Sequence, residues 1–327
     1  MDIQRRQFVA TLAGMMATWP FVAIAQQAKQ PTIGLLGGAT RDAQALWTDA
    51  FVHRLQELGW IEGQTVHIVD RWVAGRFERS PEIITEFVRL KVDVIVTHST
   101  PNVVAAKKMA PDIPVVFPSA GDPVANGIVA SLARPGGNVT GLSVRSADLA
   151  HKMVELLRDL LPKIRRVAIL YHVGNPISLL QTSAVQTAAG TFGLGVAVVE
   201  IRIAEDLAPA IEALKGQADA LIVPSEPLYN TNRLQINSSA LKVRLPTIYF
   251  DRVYVETGGL MSYGPKWPSM WRRTAELVDK ILNGVKPADI PVEQPRTFEF
   301  VINLKTVKAL GLNIPRILLA RADQLIE

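Results

Sequence analysis

The chain has 327 residues, 48% hydrophobic and 20% charged, a globular balance that excludes general disorder and gives enough length for two cores, since single cores stop growing at about 250 to 300 residues. Its formal charge of +5 comes from scattered Lys and Arg without a dense basic block, so no nucleic-acid partner is expected. Cysteine is absent, which removes disulfides, thiolate metal sites and Cys nucleophiles together.

Residues 1–25 read as an address. Arg5-Arg6 precede an apolar run from Phe8 to Ile24, and Ala23-Ile24-Ala25 offers small residues where a signal peptidase cuts. The arrangement predicts a cleaved export signal and a mature protein in the periplasm. Arg5-Arg6-Gln7-Phe8-Val9 also resembles a twin-arginine signal, which would export a folded chain, although ordinary signals carry paired arginines as well. A membrane anchor is the competing reading, but Thr11, Gly14, Thr18 and Pro20 interrupt a run already short for a span of about 20 apolar residues.

The mature chain alternates strand and helix patterns. Thr32–Leu36 is a continuous apolar run ending in Gly37-Gly38, as expected of a buried parallel strand entering a tight loop. Trp47, Phe51, Leu55 and Leu58 at helical spacing, stopped by Gly59, predict a helix; a strand at Val66–Val69 and a helix at Pro81–Leu90 follow. Asp93–Thr97, the loop His98-Ser99-Thr100-Pro101, a helical segment to Ala110 and Pro114–Phe117 then form a strand-helix-strand cassette. A helix at Asp148–Leu161, a strand at Arg166–Tyr171, a helix at Leu179–Phe192 and a strand at Val196–Val199 restart the pattern. The cassette then repeats with other residues: Asp219–Val223, the loop 224–230, a helical segment to Arg244, and Pro246–Phe250.

Alternating elements of this kind predict an α/β fold of two Rossmann-like lobes with parallel sheets. A further helix at Pro268–Leu282 and a strand at Thr297–Ile302 exceed what the second lobe needs, so the chain is expected to cross back near Gly264 and return near Pro291–Pro295, giving a three-segment hinge. The expected lobes are residues 26–143 plus 265–292 and residues 144–264 plus 293–327.

Four stretches and the C-terminus carry a resemblance: Gly121–Val124, Leu132–Gly141, Gly258–Gly264, Val301–Gly311 and the ending Leu318–Asp323. Together they are similar to the substrate-binding proteins of ABC importers in the family that includes tryptophan and tyrosine binders, over essentially the whole mature chain. The resemblance implies a type I periplasmic binding protein, a monomer that closes two lobes on a small-molecule ligand and delivers it to an ABC permease in the inner membrane. The ligand expected is a small carboxylate-bearing molecule, an amino acid or aromatic acid. A periplasmic sensor module that presents ligand to a membrane receptor is the alternative.

Ligands of such folds sit outside the carboxyl ends of the strands, which selects the loops to search. On the first lobe these loops offer Gly38, Thr40, His98, Ser99, Thr100, Ser119 and Asp122; on the second, Tyr171, Asn175, Glu226, Phe250 and Asp251. Ser99 and Thr100 precede a helix opening at Pro101, so they either bind a carboxylate or cap that helix. Asp122 before Pro123 either pairs with an amine or starts its own turn. Asp251 is preferred to Glu226 as partner of a ligand ammonium, with an Asp251–Arg252 ion pair as the alternative. Asn175 before Pro176 is a ligand contact or a turn residue. Aromatic walls are expected from among Tyr171, Tyr229, Phe250, Tyr254, Trp47 and Trp72. Five unpaired histidines and the absence of a nucleophile elbow or a phosphate loop speak against an enzyme, and no cofactor or metal is expected.

Overall fold

The computed structural model describes residues 30–144 and 146–327; the export signal read at residues 1–25 lies outside them. The first lobe runs β1 (Thr32–Gly37), α1 (Arg41–Glu57), β2 (His67–Trp72), α2 (Ser80–Leu90), β3 (Val94–Thr97), α3 (Thr100–Met109), β4 (Val115–Gly121) and β5 (Val139–Val144). The second continues with α4 (Ser146–Leu160), β6 (Arg166–His172), α5 (Pro176–Thr191), β7 (Gly195–Ile201), α6 (Leu207–Glu212), β8 (Ala220–Val223), α7 (Pro227–Thr231), α8 (Arg233–Lys242), β9 (Thr247–Tyr249), α9 (Arg252–Glu256) and β10 (Met261–Pro265). After these come α10 (Trp267–Leu282), β11 (Phe298–Asn303), α11 (Leu304–Leu310), α12 (Arg316–Arg321) and β12 (Gln324–Ile326).

The strands form two sheets, ordered β2-β1-β3-β4-β5 and β7-β6-β8-β9-β10-β11-β12. All pairings are parallel except β10 with β11. The sequence repeat is therefore a repeat of topology: in each lobe the first strand lies between the second and the third. Loops leaving the first and third strands diverge there, which opens a crevice at the strand ends.

Period-2 alternation explains why the strands read as unbroken apolar runs. Ile33, Leu35, Val94 and Val96 face Trp47 and Phe51 of α1 and Trp271 of α10, while Leu36 and Ile95 face Phe87 of α2 and Val103 of α3. The second sheet does the same: Val167, Ile169 and Ile222 face α4 and α5, and Leu170, Leu221 and Val223 face Ile211 and Ile236. Each fully buried aliphatic or aromatic side chain of this kind contributes about 1.5–3 kcal/mol over its exposed state.

The chain passes between the sheets three times: from β5 to α4, from β10 to α10, and after Glu293 on the way to β11. The passages are tied to one another. Ser143 N donates to Glu293 O at 2.8 Å, and Glu293 N to Gly141 O at 3.0 Å. Arg273 of α10 forks onto the Glu293 carboxylate at 2.9 and 2.6 Å. Among the described residues no helix is long and apolar enough to cross a membrane.

Candidate functional site

The crevice holds a narrow cavity between the lobes. From the first lobe it is lined by Ala39, Trp47, His98, Ser99, Thr100, Ser119, Ala120 and Gly121, and by Trp267 at the start of α10. From the second come Asn175, Ile177, Gln181, Ser225, Glu226, Pro227, Asn230 and Phe250, with Val144 at the first crossing. Its mainly apolar lining with a few converging polar groups is the chemistry of a site for a small organic ligand.

The first lobe presents hydrogen-bond donors. Ser99 sits before α3 at φ +74°, a conformation unusual outside glycine, and its side chain makes no cap bond to the helix. Thr100 is buried, and its hydroxyl has no partner within the protein. His98 lies behind Ser99, edge-on to Trp47 and Trp271. Its Nε2 accepts from Gly38 N at 3.2 Å and from the Gln44 side-chain amide, and Nδ1 lies 3.2 Å from Ser99 Oγ. Burial pushes the His98 pKa down to about 4, so the ring is neutral near pH 7.

The second lobe presents acceptors. Glu226 caps α7 through Leu228 N and is held by His172 Nδ1 at 2.7 Å and by Asn175 Nδ2 at 2.7 Å. Around it, Asn230 Oδ1 and Gln181 Oε1 are buried without partners. Glu226 is the one carboxylate in the lining, and among the described residues no Lys or Arg lines the cavity beside it. The aromatic wall is Phe250 with Trp47 and Trp267, whose rings stack at a centroid distance of 5.3 Å.

Of the residues singled out from sequence, His98, Ser99, Thr100, Ser119, Asn175, Glu226 and Phe250 line the cavity. Five others do not. Thr40 caps α1 through Ala43 N, and Gly38 lies beside the cavity, packed against His98, Ser99 and Pro227. Asp122 accepts from Ala125 N at 3.0 Å within its own turn and faces a separate groove beside Leu180. Tyr171 is half-buried away from the cavity. Asp251 is absent from the lining, where Glu226 stands: it caps α9 through Val253 N at 3.1 Å, its other carboxylate oxygen is buried without a partner, and burial pushes its pKa up to about 7. Tyr229 and Tyr254 are core residues rather than walls, and Trp72 covers Gly37. Sequence reasoning missed Gln181, Asn230 and Trp267. Gln181 lies inside a helical segment, Asn230 ends the loop read at 224–230, whose candidate from sequence is Glu226, and Trp267 arrives from the segment that crosses back.

The lobes are in contact. A Cβ placed on Gly38 would stand 2.9 Å from Pro227 Cγ, one on Gly75 3.3 Å from Leu228 Cα, and one on Gly121 2.1 Å from Ile177 Cδ1. This is a closed arrangement, and known structures agree. An ABC domain from Streptococcus pneumonia solved in complex with L-Trp is 27% identical and superposes with a TM-score of 0.85, covering 91% of this chain and 100% of that one. The ligand-free, open structure of a substrate-binding protein with adhesive properties from Clostridium difficile is also 27% identical, covering 90% of this chain and 99% of that one, yet reaches only 0.65. Equal identity with unequal superposition fits a difference in lobe closure. A curated relative, a tyrosine-binding protein of Clostridioides difficile (strain R20291), is 29% identical over 285 residues, 87% of this chain and 82% of the relative. The family model for ABC transporter substrate binding proteins matches residues 23–326. With two sheets closed around a polar-ended aromatic cavity, the chain belongs to the ABC transporter substrate binding protein family.

Proposed function

We propose that this protein captures an L-amino acid with an aromatic side chain outside the inner membrane and delivers it to an ABC permease. The observation that carries the reading is the polar asymmetry of the cavity. The hydroxyls of Ser99 and Thr100 form a donor set for a carboxylate, whereas Glu226, Asn230 Oδ1 and Gln181 Oε1 form an acceptor set for an ammonium group. Trp47, Trp267 and Phe250 supply the apolar wall for the side chain. The tyrosine-binding relative and the L-Trp complex support this ligand class, and the export signal read at residues 1–25 supports the location.

Closure couples binding to delivery. The ligand bridges both lobes only when they are shut, so its differential affinity moves the open-closed equilibrium and marks the loaded protein for the permease. Calorimetry and thermal shift with L-tryptophan, L-tyrosine, tryptamine and indole-3-propionate test the ligand class. A ligand at 100 times its Kd adds about 2.7 kcal/mol, equivalent to about 5 °C or more in melting temperature. The two amino acids are expected to bind, and the analogues lacking either charge to bind much more weakly. Tight binding of indole-3-propionate alone would mean an aromatic acid and would overturn the amino-acid reading. Loss of uptake of the identified ligand on deleting the gene tests delivery to a permease.

A further inference from the structure

The carboxylate end of the cavity contains a chain of hydrogen bonds whose direction is set by its far end. Ala39 N–H can only donate, and it donates to Gln44 Oε1 at 2.9 Å, which fixes the orientation of that amide. Gln44 therefore turns its NH₂ toward His98 Nε2, where Gly38 N–H also points at 3.2 Å. Two donors aimed at one ring nitrogen require it to be unprotonated. The ring proton then resides on Nδ1 and is donated to Ser99 Oγ. A lone pair of Ser99 is occupied by this bond, its side chain does not cap α3, and its own hydrogen is free to point into the cavity.

We infer that His98, oriented by Gln44, is a positioning residue that leaves the Ser99 hydrogen free to be donated into the cavity, so that this loop favours a ligand presenting a carboxylate over one presenting only donor groups. The edges of Trp47 and Trp271 hold the ring in this pose at centroid distances of 6.3 and 5.7 Å. The positive φ of Ser99 is a local backbone cost whose return is this orientation. The opposite tautomer would leave Nδ1 as an acceptor, draw the Ser99 hydrogen onto the ring, and turn an oxygen lone pair toward the ligand.

The inference rests on the amino-acid reading for its ligand, but its hydrogen-bond direction can be measured without one. In ligand-free, ¹⁵N-histidine-labelled protein, the His98 nitrogens are expected to show a protonated Nδ1 and an unprotonated Nε2. A proton on Nε2, or on both nitrogens, overturns the relay. The second measurement is the ratio of L-tryptophan to tryptamine affinity, because tryptamine lacks the carboxylate. His98→Leu should weaken L-tryptophan about tenfold, the equivalent of one hydrogen bond to a charged group, and leave tryptamine nearly unchanged. His98→Asn, whose amide can donate from the Nδ1 position, should restore most of the ratio. Equal loss for both ligands in His98→Leu, or failure of a folded His98→Asn to restore the ratio, would assign His98 a merely structural part. Should His98→Leu not fold, the nitrogen signals and the His98→Asn ratio decide the matter. If wild-type protein binds neither L-tryptophan nor L-tyrosine, the ligand reading falls, and the nitrogen signals still decide whether the relay runs as described.

Discussion

The two copies of the strand-helix-strand cassette place a helix start at the same point of the cavity and finish it in opposite ways. After β3, Ser99 leaves α3 without a side-chain cap, and the hydroxyl of Thr100 stays unpartnered. After β8, Glu226 caps α7 itself and is fastened by His172 and Asn175. An uncapped start exposes amides and attracts an anion; a start capped by a carboxylate exposes acceptors and attracts a cation. One architecture, used twice with different cap chemistry, yields a site with a negative-seeking end and a positive-seeking end.

The most forceful way to break this comparison is to remove the charge on the capped side. Glu226→Gln keeps the shape and should weaken an amine-bearing ligand by about 3 kcal/mol, roughly 100-fold in Kd, as expected when one partner of a buried charge pair is lost. Calorimetry with indole-3-propionate should show little change, and an equal loss there would mean that Glu226 only supports the loop. Closure comes next. Gly121→Val would collide with Ile177 only while the lobes are shut, since Ile177 Cδ1 and Cγ1 stand 2.1 and 2.5 Å from the added carbon. The variant should bind about tenfold more weakly, with an unchanged melting temperature without ligand and a larger radius of gyration by X-ray scattering in its presence.

On the uncapped side, Thr100→Val removes one donor to the carboxylate and should cost about 1.5 kcal/mol for L-tryptophan, a factor of about ten, and little for tryptamine. Asp251→Asn should have the smallest effect on affinity, because Asp251 caps α9 outside the cavity. Its effect belongs to stability. Burial raises the native pKa to about 7 from an ordinary 3.8, so between these values the native state binds more protons than the unfolded state. The sign is that Asp251 makes stability fall as pH rises from about 4 to about 7, and Asp251→Asn should flatten that part of a melting-temperature profile. A selective loss of L-tryptophan binding in Asp251→Asn would return Asp251 to the ligand and sink the cap comparison.

The fold was legible because buried parallel strands leave contiguous apolar runs. Val94–Thr97 and Ala220–Val223 are fully buried on both faces, and their flanking loops and prolines mark the units. Local pattern could not rank Glu226 against Asp251. Both are acidic caps at strand ends, and only the placement of α7 and α9 tells which one meets the cavity. Gln181 lies inside a helical segment, where polar residues ordinarily read as solvent-facing. Tyr229 and Tyr254 looked like walls, yet they point into the core between the second sheet and its helices. Trp267 was hidden for a topological reason: it borders the cavity because α10 returns to the first lobe.

The stacked pair of Trp47 and Trp267 joins α1 to α10 and borders the ligand space, whereas Trp60, Trp72 and Trp271 lie outside the cavity lining. Two indoles this close couple their electronic transitions, which gives the wall its own near-ultraviolet circular dichroism and an emission sensitive to what fills the space beside it. The protein thus carries an internal optical gauge of occupancy, readable without a label and separable from closure by substituting either indole alone.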